Sequence, residues 1–270
     1  MRSLGKLFRL MMNHFGRWKN TMNEHEYRQF YDQVGALNGW DFSRMQVDSE
    51  GIQWDLYQEV MRVCQKSDLL LDIGTGGGEA LLSIADAVHL AIGIDCSSGM
   101  METAKRNVEQ ARASQVRFYQ MNAEQLVFPD GMFNRVTCRH SPFCADEVAR
   151  VLAGDGMFFT QQVSEHDKWN LKQAFGRGQA WGTAQGTLQR QYVEELRTAG
   201  LKDIQVYEYN ATDYYASVQD LLFLLRHTPI IPNFGQDEQD YELLKQFIEE
   251  YRTDRGIRTN SARFMIIAHK

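Results

Sequence analysis

The stretch LLLDIGTGGGEALLSIA, Leu69 to Ala85, decides how this chain is read. An apolar run ends on Asp72, and four of the six residues from Gly74 to Glu79 are glycine. Apolar residues then resume at helical spacing. The pattern is a buried strand, a tight turn and a helix. Glycines let the turn adopt positive φ and let backbone approach a ligand closely. The start of the helix offers N–H groups with no partner of their own.

Outward from this turn the chain alternates. Strands are expected at Leu69–Ile73, Leu90–Asp95, Val116–Met121, Arg135–Arg139 and Gly156–Val163, with helices at Gly77–Ala87, Ser98–Ala113 and Asp146–Leu152 between them. Continuous apolar strands separated by helices predict a parallel sheet covered on both faces. A helix at Thr187–Thr198, stopped by Gly200, and strands at Ile204–Asn210 and Arg263–His269 follow. An insertion, 216–256, separates those two strands; it carries helices at Val218–Leu225 and Asp240–Tyr251 and a proline-bearing loop from His227 to Phe234. Before the sheet, residues 22–66 read as a helical cap dense in aromatics, among them Tyr27, Phe30, Tyr31, Trp40, Phe42, Trp54 and Tyr57, with a turn at Asn38–Asp41.

The formal charge is −6, unevenly spread. Residues 1–21 hold five basic residues and no acid, leaving 24 basic and 35 acidic residues for the remainder. A body that acidic repels a nucleic-acid backbone over most of its surface. In 1–21, Leu4, Leu7, Phe8, Met11, Phe15 and Trp18 recur at helical spacing between basic residues. This extension suits either an anionic membrane surface or a docking face on protein, and translation starting at Met22 would make it optional. No apolar run reaches the roughly 20 residues of a membrane-spanning helix, and no secretory signal is read, so a cytoplasmic protein is expected. Cys64, Cys96, Cys138 and Cys144 show no zinc spacing. Cys138 is expected to point into the sheet, so no metal is assigned to Cys138, His140 and Cys144.

Two cofactor types use a strand–glycine–helix turn. A dinucleotide site follows G-x-G-x-x-G; counted from Gly74, its third glycine is Glu79, which would set a negative charge beside a pyrophosphate. S-adenosylmethionine (SAM) has the opposite electrostatics, with an ammonium and a sulfonium. Asp72 suits that cationic portion, and Asp95, ending the second strand 23 residues later, can accept from both ribose hydroxyls.

With these residues in view, the chain resembles the class I SAM-dependent methyltransferases. The matching pieces are LDIGTGGGE (71–79), GIDCSSGMMETAKRN (93–107), MNAEQLVFPDGMFNRV (121–136) and DEVARVLAGDGMFF (146–159), in family order. The branch it looks most like is the small-molecule, ubiquinone/menaquinone-biosynthesis type. The resemblance implies a Rossmann-like α/β fold: a seven-stranded, mostly parallel sheet of order 3-2-1-4-5-7-6 with helices on both faces, spanning 67–270, with the cap in front and the insertion before the last strand. It implies SAM as cofactor and S-adenosylhomocysteine as product. It places Asp72, Gly74 and Gly76 along the methionine portion, Asp95 at the ribose and Met100 near the adenine, with Thr75 and Cys96 beside them in the two loops. Asn122-Ala123 stands where relatives often have Asp-Ala against the adenine amino group. Arg139 and His140 follow the fourth strand, where backbone meets the SAM ammonium. FYDQVG (30–35), with Tyr31, echoes a segment that closes over the cofactor.

Methyl transfer is an in-line displacement that needs mainly alignment and desolvation. His140, in RHSPFC (139–144), has the pKa range of a general base; the alternative is a histidine that bonds backbone or lines the pocket. Ser141-Pro142-Phe143 only faintly resembles the N-P-P-Y motif of amino-methyltransferases, and there is no Pro-Cys pair for attack on a pyrimidine ring. The acceptor pocket is expected from the cap, segment 164–186 and the insertion, for a small, partly apolar or aromatic acceptor. The rival readings are an RNA or protein methyltransferase, a non-catalytic SAM-binding or scaffolding subunit, and a dehydrogenase, which Glu79 disfavours.

Overall fold

A computed structural model describes residues 24–38 and 41–270 of the chain. The basic extension 1–21, Met22 and Trp40 lie outside the described residues. The elements are α1 (Glu24–Asn38), β1 (Val47–Glu50), α2 (Leu56–Val63), β2 (Leu69–Ile73), α3 (Glu79–Ile84), β3 (Leu90–Asp95), α4 (Ser98–Ala111), β4 (Val116–Gln120), β5 (Phe133–Arg139), α5 (Ala145–Val151), β6 (Leu152–Val163), α6 (Trp169–Phe175), α7 (Thr187–Thr198), β7 (Lys202–Tyr215), α8 (Val218–His227), α9 (Gln239–Tyr251), β8 (Arg252–Thr253) and β9 (Gly256–His269).

The sheet runs β1-β7-β9-β6-β5-β2-β3-β4, with β8 paired to β9. Strands β4, β3, β2, β5 and β6 are parallel neighbours, and β9 enters antiparallel to both β6 and β7. Seven strands are thus corrected to nine, in a mixed sheet. The additions are β1, antiparallel on β7, and the two-residue β8. With these set aside the path is β4-β3-β2-β5-β6-β9-β7. The cap is likewise not wholly helical, because its middle joins the sheet edge. Strands β7 and β9 each run 14 residues, well beyond the expected Ile204–Asn210 and Arg263–His269.

Burial follows the two-residue period of strands. Leu71, Ile73, Ile92, Ile94, Val136 and Phe158 face one layer with Val148 of α5 and Tyr192 and Leu196 of α7. Leu70, Ala91, Val116, Phe159 and Met265 face the other with Leu56, Tyr57 and Val60 of α2 and Leu81 of α3. A third core joins Leu171 of α6, Leu221 and Leu224 of α8 and Phe247 of α9 to Tyr215 and Ile257, so the insertion is anchored on the far ends of β7 and β9.

Local chemistry sets the helix starts. The Asp55 side chain accepts from Gln58 N at 2.9 Å and Ser97 Oγ from Met100 N at 3.2 Å, each satisfying an otherwise unpartnered N–H. Ser217 and Asp220 form a reciprocal capping box at α8. Because β2 is flanked by β3 on one side and β5 on the other, strand order reverses there. The crevice outside the carboxyl ends of these strands is where ligands bind in open α/β sheets.

Charge is buried where the insertion meets the sheet. Lys168 Nζ lies 2.5 Å from Asp213 on β7, both almost fully buried, and Asp213 also accepts from Ser49 Oγ of β1 at 2.6 Å. Arg263 of β9 pairs with buried Asp167. Removing one partner of such a pair strands the other in low dielectric. Lys168→Met is expected to cost about 3–5 kcal/mol in urea unfolding, and Lys168→Met with Asp213→Leu to recover most of that loss. Equal losses in the single and double variants would refute the pairing.

Candidate functional site

The glycine turn is fixed almost entirely by its own surroundings. Gly74 N and Thr75 N both donate to Ile94 O at 2.9 Å, Gly76 N donates to Asp95 Oδ2 at 3.0 Å, and Gly78 N donates to Thr75 O at 3.0 Å. Gly74, Gly76 and Gly78 have φ of 70, 59 and 78°, the left-handed region that glycine enters at no steric cost. A Cβ on Gly74 would meet Ser141 Oγ at 2.2 Å, so this position brings the β2 exit against the β5 exit. A Cβ on Gly78 would meet the Phe118 ring at 2.3 Å. Glu79 folds back over Gly77, where a Cβ would meet its Oε1 at 2.2 Å, and accepts from Asn107 Nδ2 at 3.1 Å. A pyrophosphate cradle needs free loop amides and no carboxylate above them; this loop has used four amides and carries an acid.

Asp95 ends β3 with both oxygens oriented. Oδ1 accepts from Ser97 N at 2.9 Å and Oδ2 from Gly76 N. Burial raises its carboxyl above the ordinary range, against the lowering pull of the Ser97, Gly76 and Cys96 amides. Each oxygen keeps a further lone pair, a pair of acceptors that the two hydroxyls of a ribose diol would fit. Ser97 Oγ donates to Asp32 Oδ1 of α1 at 2.7 Å, and Thr103 Oγ1 donates to Gly35 O at 2.8 Å. A Cβ on Gly35 would meet Met100 N at 2.5 Å. The FYDQVG segment is thus seated directly on the start of α4, the helix that follows Asp95.

Asp72 is buried beneath the turn and accepts from Thr137 Oγ1 at 2.7 Å and from Tyr57 Oη at 3.2 Å. Burial raises its carboxyl, while Thr137, Thr75, Tyr57 and Arg139 draw it down. Thr75 Oγ1 is buried and meets no partner of good hydrogen-bond geometry. The Arg139 guanidinium sits 5.8 Å from the Tyr57 ring centroid and forms no ion pair among the described residues.

The 140–143 loop is clamped by consecutive glutamines of β6. His140, at φ 56°, donates its backbone N–H to Gln161 O at 2.9 Å, and its Nε2 lies 3.0 Å from Gln161 Nε2. Gln162 Nε2 donates to Ser141 O at 2.9 Å. Burial, with Arg263 and Arg139 nearby, holds the His140 imidazole well below its ordinary pKa. On the opposite face of α1, Gln29, Phe30 and Gln33 border a cavity of about 470 Å³ with Leu225, Arg226, Pro229, Ile231 and Phe234.

The structure therefore brings Asp72, Gly74, Thr75, Gly76, Asp95, Cys96, Met100, Arg139 and His140 to adjacent strand ends, with half-buried Tyr31 on α1 beside Asp32. Two expected roles change in detail. Asn122 is exposed, and its Oδ1 already accepts from Glu124 N at 3.0 Å, leaving one lone pair for an adenine amino group. Ala123 packs against the core. The Asp72 carboxylate faces Tyr57 and Thr137 and lies buried under the loop. Cys138 is buried in the core, and no cluster of metal-binding side chains forms among the described residues. Sequence reasoning missed Asp32, Ser97, Tyr57, Thr137, Trp54 and Gln161. Two carried a signal: Ser97, as a serine directly before a helix, and Asp32, which lies within FYDQVG.

A glycine turn closed on itself, an aspartate with both oxygens oriented and a strand-order reversal thus lie together at the ends of β2 and β3. Residues 70–156 match the family model described as a methyltransferase domain. They form a domain of the class I kind, for which SAM is the cofactor. The uncharacterized methyltransferase YcgJ of Bacillus subtilis is 37% identical over 102 residues, which are 35% of this chain and 40% of that protein. The chain thus spans about two-fifths of that curated relative's length. The demethylmenaquinone methyltransferase of Lactococcus lactis is 26% identical over 174 residues, covering 60% of this chain and 68% of that one. The crystal structure of YcgJ superposes with a TM-score of 0.58 at 20% identity, over 79% of this chain and 97% of that one. The [4+2]-cyclase SpnF gives 0.59 at 18% identity, over 93% and 98%. These two likenesses show the shared fold.

Two outcomes test the geometry. Gly74→Ala is expected to weaken SAM binding about tenfold, or about 1.4 kcal/mol, and Gly74→Ala with Ser141→Gly to regain part of it in calorimetry; no regain would refute the Gly74–Ser141 contact as the cause. For His140, the folded pKa lies below the unfolded value, so its neutral form contributes fully above about pH 6.5. As pH falls through that value the unfolded chain takes the proton first, and stability drops. His140→Gln should flatten this acid loss, and parallel stability–pH curves for the two proteins would contradict it.

Proposed function

We propose that the protein transfers the methyl group of SAM to a small, partly apolar or aromatic acceptor by in-line displacement, releasing S-adenosylhomocysteine. When bound, SAM supplies an electrophilic methyl on a sulfonium. Asp95 would hold the ribose, the Gly74–Gly76 backbone would make room for the methionine portion, and α1 would close the cofactor side through Asp32 and Gly35. Tyr31, Cys96, Met100, Asn122 and Arg139 complete the proposed cofactor site.

The cavity beside α1 carries the acceptor part of this reading. Its volume is that of a small-molecule pocket, and its wall mixes Phe30, Leu225, Ile231 and Phe234 with glutamines, one arginine and one glutamate. Such a wall suits a small acceptor with apolar surface better than a polyanion, whose binding depends on clustered Lys and Arg. Residues 26, 29, 30 and 33 line it, while 32 and 35 face α4, so the cavity would take the apolar body of the acceptor, whose nucleophilic end would have to reach past α1 to the strand ends at Arg139 and His140. The similarity to demethylmenaquinone methyltransferase points the same way.

Labelled methyl from SAM, offered to a lysate then separated into small-molecule, RNA and protein fractions, should enter the small-molecule fraction. Label in RNA or protein alone would overturn the acceptor class. Gln33→Trp, which fills the cavity, is expected to lower incorporation at least about tenfold with SAM affinity within about twofold. Asp95→Ala should weaken SAM binding by more than about tenfold, and undiminished binding in a folded variant would remove Asp95 from the site.

A further inference from the structure

Trp54, Gln161 and His140 form a chain of side-chain hydrogen bonds with one direction. Trp54 Nε1 donates to Gln161 Oε1 at 2.9 Å, and Gln161 Nε2 lies 3.0 Å from His140 Nε2. An indole N–H can only donate, so the Gln161 carbonyl oxygen must face Trp54 and its NH₂ must face the imidazole. An amide NH₂ can also only donate, so His140 Nε2 must accept. The ring proton then resides on Nδ1. The starting donor is itself fixed: the Trp54 ring packs on Tyr209 with centroids 4.5 Å apart and on Tyr207 at 6.3 Å. Gln161 is 7% exposed, so water does not readily substitute for either bond.

The charges around the ring oppose its protonation. Arg139 at the end of β5 and Arg263 of β9 both bear on it, and the groups bonded to it, Trp54 through Gln161 of β6, are neutral. Arg263 is matched by Asp167, and among the described residues no carboxylate hydrogen-bonds His140. Nδ1 has no hydrogen-bond partner among the described residues, and the side chain is half-buried at the strand ends.

We infer that Trp54 and Gln161 are positioning residues that hold His140 as a neutral imidazole protonated at Nδ1, so that it donates a hydrogen bond to the methyl acceptor and does not act as the base that deprotonates it. The statement about the acceptor rests on the proposed methyl transfer; the tautomer does not. It narrows the substrate class to acceptors whose nucleophilic electron pair is available without proton removal by His140. An oxygen already ionised, or a carbon conjugated to one, fits: the Nδ1–H and the Arg139 guanidinium, which forms no ion pair among the described residues, can both meet its negative charge.

The test is a long-range ¹H–¹⁵N correlation spectrum of the full chain, with the His140 signals identified by their loss in His140→Gln. Nδ1 should appear protonated and Nε2 unprotonated at neutral pH, with no titration at the ordinary histidine midpoint. An Nε2–H tautomer, a rapidly averaged ring or an ordinary midpoint overturns the inference. Gln161→Glu supplies an acceptor in place of the NH₂, so the proton should move to Nε2 and the midpoint should rise. An unchanged tautomer there overturns the relay, and Trp54→Phe, a milder change, should leave the His140 ring averaging between tautomers. In methyl transfer, an acidic limb of the pH–rate profile that vanishes in His140→Gln would make His140 the base and overturn the inference. Absence of methyl transfer to any fraction, with the expected tautomer observed, would fault the proposed activity and leave the relay standing.

Discussion

Ile94 O and the Asp95 carboxylate hold the glycine turn, and the cofactor side of the molecule depends on that closure. Both belong to the end of β3, yet they accept from Gly74, Thr75 and Gly76 at the end of β2. The turn is therefore set before any ligand arrives. Its closure brings in the neighbouring strands as well: β4 through the Phe118 ring, against which both Gly78 and Gly93 are stacked, and β5 through Ser141, against Gly74. Preorganisation of this kind removes ordering cost at the moment of binding. It also decides what can bind, because amides already engaged by the protein offer little to a phosphate.

The side that carries the insertion is built on a different principle. Beyond the central parallel strands, β7 and β9 run on as a long antiparallel pair whose inward positions carry Asp213, Thr259 and Ser261. Lys168 pairs with Asp213, and Asp167 with Arg263 of β9 itself. Burial pushes the Lys172 ammonium, also enclosed there, down to about 8. Buried charge costs desolvation and is tolerated only when paired. It fixes one arrangement of α6, β7 and β9, and so fixes where Arg263 stands relative to His140.

The same contrast explains what the sequence disclosed. The turn, Asp72, Asp95 and the alternating elements from 69 to 163 were legible because apolar runs and glycines report backbone and burial directly. The distal halves of β7 and β9 were not: in ATDYY and IRTNSA the inward residues include Asp213, Thr259 and Ser261, which erase the apolar period a strand is recognised by. β1, VDSE, is polar and exposed and is a strand only because β7 offers an edge. Within the site, Tyr57 stood in the sequence only as one of the aromatics of the cap; that its hydroxyl reaches Asp72 depends on how α2 crosses the sheet, which local pattern does not encode.

Gln161 and Gln162 show how far function can rest on residues with no motif of their own. Successive strand residues point to opposite faces, so two adjacent glutamines reach the β5 exit from both sides, one holding the His140 ring and the other the Ser141 carbonyl. Their amides are equally able to donate and accept, and neither end is distinguished by sequence. Direction enters through the partner: Trp54 can only donate, and that single asymmetry, 107 residues away along the chain, orients the Gln161 amide and with it the imidazole. A histidine after this strand is ambiguous between base and donor on sequence grounds. The ambiguity lies in a proton's position, and a proton's position is set by the neighbours of the neighbours.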